Sequence, residues 1–301
     1  MVQKRCARDR VQHFGKIRVH PSALSGGQDN NRGVHTGVLY SSHTPYLTSE
    51  GLAQGSLRQL ALQIVTQHGR VSPMIRMTGE VMTTVIFDLD GTLADTSGDL
   101  IAAANRCFVQ MGQGEVLHPI EDAAIGMRGG RAMLTCGLER LGKMDEAVVD
   151  AYYPILLEAY RDKIDVHTRL FPGAMEAVGR LRASGVKVGI CTNKPVALAE
   201  ELLDRLGVRE AFAALVGAGS LAVRKPDPEA FFETVRQLGG RVDQAVMVGD
   251  TITDHKTARA AGVPSILVDF GVSGGDLLRL APDVILTSYD DFEACLARVL
   301  G

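Results

Sequence analysis

From residue 83 onward, short apolar runs alternate with stretches of helical spacing. Thr83 to Asp88 is rich in β-branched and aromatic residues and ends on an acid, which predicts a buried strand. Behind it Leu100, Ala103, Ala104, Cys107, Phe108 and Met111 recur at helical spacing, and Asp99 stands where an N-cap is expected. Residues 112–119 interrupt the pattern, and 132–141 and 146–160 resume it. A turn at 171–173 leads into a predicted helix over 174–183. A strand–helix unit then repeats. Strands are predicted at 186–191, 214–217, 245–249, 265–268 and 284–287, and helices at 196–206, 228–238, 255–261 and 290–300. Apolar strands alternating with helices predict an α/β fold, a Rossmann-like parallel sheet with helices on both faces. The helical stretch between the first two strands is too long for a simple crossover. It is expected to form a small helical cap domain, 97–170, inserted after the first strand into a core made of 82–96 and 171–301.

Residues 1–82 lack this pattern. They hold ten Lys and Arg against four Asp and Glu, while the rest of the chain holds 22 and 31. Residues 1–81 therefore read as a basic, disordered extension outside the fold, with one short helical stretch at 52–65. Three readings stay open. The composition is that of an organelle transit peptide, though no apolar h-region marks a secretory signal. A nucleic-acid tail would need a denser Lys/Arg block. A mis-set start is the third. Met74, Met77 and Met82 stand just before the first strand, and Arg outnumbers Lys 24 to 8, the mark of GC-rich coding DNA.

The whole chain is 46% hydrophobic and 22% charged with a formal net charge of −3, a globular composition. Near-neutral charge argues against broad capture of nucleic acid. No apolar run reaches the roughly 18 residues of a membrane span. Five cysteines (Cys6, Cys107, Cys136, Cys191, Cys295) form no CxxC pair, so a zinc site or disulfide framework is not expected and a cytoplasmic location fits. No nucleic-acid or membrane partner is expected, and the chain is expected to be a monomer or homodimer.

Parallel sheets of this kind bind ligands beyond the carboxyl ends of their strands. Polar residues gather there. The first strand ends Asp88-Leu-Asp90-Gly-Thr92, the second ends Thr192-Asn193-Lys194, and the third is followed by Arg224-Lys225-Pro-Asp-Pro228. The fourth ends Gly249-Asp250-Thr-Ile-Thr-Asp254. Asp88, Asp90, Asp250 and Asp254 would crowd four carboxylates on one rim, which calls for a cation. Oxygen ligands without neighbouring Cys or His favour Mg²⁺ over zinc. Lys225 adds a point charge, and Thr192 adds a hydroxyl near a helix start. Together they suit a phosphoryl group, so the expected partner is a small phosphorylated metabolite.

These four ordered motifs resemble the haloacid dehalogenase-like hydrolase superfamily, over residues 83–301. The position of the insert, with Asp95-Thr-Ser-Gly-Asp-Leu100 and Thr192-Asn-Lys-Pro195, is similar to the subfamily that contains phosphoglycolate phosphatase. The resemblance implies an Mg²⁺-dependent phosphatase acting through an aspartyl-phosphate, most simply on 2-phosphoglycolate. It implies that Asp88 is the nucleophile and a metal ligand. Asp90 is the general acid and base and meets the metal through its carbonyl. Thr192 and Asn193 hold the phosphoryl oxygens, Lys225 neutralises charge, and Asp250 and Asp254 complete the metal site. For Arg128 and Arg131, in a basic Gly-Gly turn of the insert, two readings stay open: one of them meets the substrate carboxylate, or both are solvated loop charges. Another small-phosphate hydrolase, a β-phosphoglucomutase-like enzyme and a non-catalytic phosphate-binding protein are the alternatives. Asp99 is expected to cap a helix, His255 to be structural, His118 and His167 to lie at the surface, and Cys191 to be a core strand residue.

Overall fold

The computed structural model describes residues 83–271 and 277–301; the basic segment 1–81 and its helical stretch at 52–65 lie outside them. Six parallel strands form one sheet: β1 (Thr84–Phe87), β4 (Lys187–Pro195), β5 (Ala214–Ala218), β6 (Ala245–Gly249), β7 (Ser265–Val268) and β8 (Val284–Leu286). Their order is β5-β4-β1-β6-β7-β8. The chain therefore builds outward from β1 in one direction, returns, and builds outward in the other, the predicted Rossmann-like arrangement.

Alternate strand residues serve opposite faces. Val85 and Phe87 join one apolar cluster, and Ile86 joins the other. Helices α5 (Ala174–Ala183), α6 (Val196–Arg205) and α10 (Phe292–Leu300) supply buried residues to the first cluster. Helices α7 (Glu229–Gln237) and α8 (Ile252–Ala261) supply the second. Such two-sided burial is why the strands read as unbroken apolar runs. A one-turn helix, α9 (Leu277–Leu280), was not legible in the sequence.

The insert holds four helices: α1 (Ser97–Gln110), α2 (Ala123–Gly126), α3 (Gly130–Arg140) and α4 (Glu146–Asp162). The chain leaves and returns through a two-residue antiparallel pair, β2 (Ala94–Asp95) with β3 (Arg169–Leu170). Asp99 does not cap α1, contrary to the expectation from its place in the pattern. The helix already begins at Ser97 with Thr96 at the N-cap. Asp99 is buried and accepts hydrogen bonds from His167 N, Thr168 N and Thr168 Oγ1, all at 2.8–3.0 Å, so it ties the two linkers together. The cap reading failed because local spacing cannot show the returning strand.

The Arg128–Arg131 turn is also shorter than expected. Gly129 is the N-cap of α3, so Arg131 already lies on a helix. No described helix is long and apolar enough to cross a membrane.

Candidate active site

Register alone gathers the motifs. Phe87 aligns with Ile190 of β4 and with Val248 of β6. One step further, Asp88 N donates to the Val248 carbonyl at 2.8 Å. Asp88, Thr192 and Asp250 therefore emerge together at the carboxyl edge. Lys225, from the segment between β5 and α7, reaches in with its Nζ 3.0 Å from Asp88 Oδ1 and 2.6 Å from Asp254 Oδ1.

Asp88, Asp250 and Asp254 are all buried and each offers an oxygen within 4.8 Å of the others. Burial pushes the Asp88 carboxyl up, Lys225 pulls it down, and Asp254 and Asp90 push it up again, leaving it at about 6. Burial opposes the Lys225 charge, but Asp254 and Asp88 outweigh it and hold the ammonium above the usual lysine range. One ammonium against three buried carboxylates leaves an excess of negative charge. An all-oxygen donor set with that excess fits a hard divalent cation.

Each acid is braced differently. Asp254 is half of a capping box with Thr251. Its Oδ2 accepts Thr251 N at 3.0 Å and Thr251 Oγ1 at 2.6 Å, while Oδ1 takes Lys225. Both of its oxygens are thus engaged, and it supports the cluster more than it opens onto it. Asp250 Oδ1 accepts Thr92 Oγ1 at 3.1 Å, and the Thr92 carbonyl in turn accepts Tyr289 OH at 2.8 Å. Gly91 has φ +80°, and a Cβ there would overlap the Asp250 carboxylate, so this turn admits only glycine.

Thr192 is buried, and its Oγ1 accepts Lys194 N at 3.2 Å. Asn193 turns toward the lysine loop. Its Nδ2 donates to the Lys225 carbonyl at 2.8 Å, and its Oδ1 is buried without a partner among the described residues. The side chain braces the lysine loop. Asp90 stands apart from the other acids. Thr96 Oγ1 and Lys194 Nζ both donate to its Oδ1, at 2.7 and 2.8 Å. Lys194 is buried and also donates to Tyr160 OH of α4 at 2.7 Å. Burial opposes its charge, yet Asp90 and Tyr160 together outweigh this and keep it above the usual lysine range.

Sequence reading missed Lys194, Tyr160, Thr96 and Tyr289 as parts of the site. Lys194 stood inside a quoted motif, and its charge beside an apolar strand was the available signal. The two tyrosines carried none.

The insert's arginines sit elsewhere. Arg131 pairs with Glu146 at 3.0 Å and Asp150 at 2.5 Å of α4 and lies over the Tyr153 ring. Arg128 is exposed and makes no ion pair among the described residues. Neither is brought onto the acids by a hydrogen bond. His118 and His167 are exposed, as expected. Half-buried His255 bonds Ser265 Oγ through Nδ1 at 3.0 Å, and Cys191 is fully buried with its thiol pushed up to about 11 by burial.

Residues 82–262 match the family model of haloacid dehalogenase-like hydrolases. The chain belongs to that family. It is similar to the phosphoglycolate phosphatase of Mesorhizobium japonicum, 36% identical over 220 residues, covering 72% of this chain and 95% of the relative. The phosphoglycolate phosphatase of Agrobacterium fabrum is 37% identical over 210 residues, covering 69% and 88%. Among solved structures, a predicted phosphoglycolate phosphatase from Haemophilus somnus superimposes with a TM-score of 0.64 at 22% identity, covering 72% of this chain and 99% of that one. CbbY from Rhodobacter sphaeroides, solved with phosphate, has a TM-score of 0.60 at 21% identity, covering 73% and 99%. At those identities the superpositions speak for the fold. They agree with the α/β architecture of this haloacid dehalogenase-like hydrolase.

Proposed function

We propose that this hydrolase cleaves 2-phosphoglycolate to glycolate and phosphate, with Mg²⁺ as its cation. The observation that carries this is the buried set of Asp88, Asp250 and Asp254 around Lys225. Relatives named phosphoglycolate phosphatase, matched over most of their length, support the substrate.

Asp88 is the proposed nucleophile. Its free carboxylate oxygen attacks phosphorus, the bond to the leaving oxygen breaks, and the electron pair stays on that oxygen. Asp90 gives that oxygen its proton. Water then attacks the phosphorus of the aspartyl-phosphate, Asp90 takes the water proton, and the bond to Asp88 breaks. Lys225 is aimed at the charge on the transferring group. Thr192 presents its hydroxyl to a phosphoryl oxygen. Asn193 acts through the Lys225 loop that it braces, and Asp254 through Lys225. Asp88 and Asp250, with Asp254 behind them, would hold Mg²⁺, which would supply Lewis-acid neutralisation of the charge on the phosphoryl group.

Residues 97–170 serve as the cap over this edge, and the link from Tyr160 to Asp90 through Lys194 supports that role. Arg128 is the cap cation offered to the substrate carboxylate. Cys107, Cys136, Cys191 and Cys295 are all buried, in keeping with the cytoplasm.

The test is hydrolysis of 2-phosphoglycolate beside a panel of other phosphomonoesters, with Mg²⁺ and with excess chelator. The expected result is the highest kcat/KM on 2-phosphoglycolate, lost on chelation and restored by Mg²⁺. No turnover of any ester with Mg²⁺ present would sink the reading.

A further inference from the structure

The Asp90 carboxylate is held from one side. Its Oδ1 takes both Thr96 Oγ1 and Lys194 Nζ, while its Oδ2 makes no hydrogen bond among the described residues. The side chain keeps 19% exposure, against 3% for Lys194. One oxygen is thus fixed within the protein, and the other is left for whatever enters the site.

Lys194 is itself held by the insert. Its Nζ donates to Tyr160 OH at 2.7 Å and lies 4.4 Å from the centroid of the Tyr160 ring. Tyr160 is almost wholly buried near the end of α4. A lysine stem has four rotatable bonds and loses much rotamer freedom when fixed. A hydroxyl and a ring face on the same residue select one ammonium position, and the buried ammonium then selects one carboxylate rotamer. Three residues from three separate segments make this line: Tyr160 from the insert, Lys194 from β4, and Asp90 from the turn after β1. None of the phosphoryl steps above uses Lys194 or Tyr160.

We propose that Lys194, set in place by Tyr160, is a positioning residue for Asp90. It anchors Oδ1 so that Oδ2 is the oxygen that passes its proton to the leaving group. This rests on the hydrolase reading above. In the step concerned, the proton moves from Asp90 Oδ2 to the bridging oxygen as the phosphorus–oxygen bond breaks and leaves its electron pair there. Misplacing Oδ2 harms only a leaving group that needs the proton.

The readout is therefore the leaving-group dependence of the first step. Lys194→Met and Tyr160→Phe are each compared with the unaltered protein in single-turnover release of alcohol from 2-phosphoglycolate and from p-nitrophenyl phosphate, with Mg²⁺. Lys194→Met is expected to slow release of glycolate by about 10²-fold or more, the usual worth of positioned proton transfer. Release of p-nitrophenolate, a good leaving group, should change little. Tyr160→Phe should show the same selectivity with a smaller loss. Equal losses on the two esters, or no loss on either, overturn the proposal. If Lys194→Met does not fold, Tyr160→Phe decides by the same ratio. An unaltered protein inert on both esters overturns the hydrolase reading itself. An active protein whose variants keep the original ester ratio overturns the positioning role alone.

Discussion

Lys225 at the sheet edge and Arg131 in the insert have the same count of partners: each reaches two carboxylates. Lys225 takes Asp88 and Asp254 with its side chain 1% exposed, and Arg131 takes Glu146 and Asp150 with its side chain 45% exposed. The surroundings make these different objects. In the buried site each charge depends on the others, since none can fall back on water. At the insert surface water and salt screen the pairs, and either partner can be lost without leaving a stranded charge. A doubly paired arginine at a surface is thus weak evidence for a binding role, and a buried lysine among acids is strong evidence for chemistry.

The largest break should come from the buried side. Asp88→Asn is expected to abolish the phosphoenzyme with every substrate, checked by acid quench and mass spectrometry of the peptide. Lys225→Ala should lower kcat/KM by at least ~10²-fold. Removing one partner of a buried pair typically costs about 3–5 kcal/mol, so its melting temperature should fall steeply. Added Mg²⁺ should recover part of that fall by neutralising the same carboxylates. Lys143→Ala, at a surface lysine whose Nζ donates to Gln113 Oε1, is the control and should match the unaltered protein. Equal losses at both lysines would erase the contrast.

Gly91→Ala is next. Gly112 has a similar φ, +74° against +80°, but an added Cβ there meets nothing. Both alanines should lose roughly 1–2 kcal/mol for left-handed backbone. Only Gly91→Ala should also lose turnover and Mg²⁺ affinity, because its methyl displaces Asp250. Matched Mg²⁺ titrations of activity would show whether the two glycines separate.

The insert should yield smaller effects. Arg131→Ala should leave the melting temperature within error, and it should leave the ratio of kcat/KM between 2-phosphoglycolate and a carboxylate-free ester unchanged. Arg128→Ala should lower that ratio by about tenfold, the scale of one charged hydrogen bond. The opposite ranking would return Arg131 to the substrate.

The smallest effect concerns Asp122, a buried acid of the insert. Hydrogen bonds from Arg140 hold its carboxyl below the usual carboxylate range, burial opposes, and His118 N adds to the lowering. A depressed folded-state pKa gives stability that is present above the unfolded pKa and lost as pH falls through the folded one. The melting-temperature gap between the unaltered protein and Asp122→Asn should therefore be constant near neutral pH and shrink below about pH 4. A gap that widens on acidification would contradict the sign.

Strand positions were legible because both sheet faces are covered, so each strand is an apolar run that ends in polar residues. The acids of the site were legible for the same reason. Asp88 and Asp250 follow directly on Phe87 and Gly249, where the apolar pattern stops. Asp99 was placed in the right helix and given the wrong task, because its partners His167 and Thr168 return from far along the chain. Arg131 was read as a loop charge, since a helix that starts on Gly129 and Gly130 carries no ordinary start signal.

By itself the sequence determined the element order, the parallel sheet, the interruption after the first strand and the residue types of the phosphoryl site. Those depend on periodicity and on short segments, where neighbours in the chain are neighbours in space. Tertiary structure alone decided the pairings. Lys225 meets Asp254 across a strand and a helix, Tyr289 braces Thr92 from the far end of the chain, and Tyr160 sets Lys194 against Asp90. A hydrogen bond requires an approach of about 3 Å and a direction. Composition and spacing constrain neither between segments 29 to 197 residues apart. Packing of the two apolar clusters does.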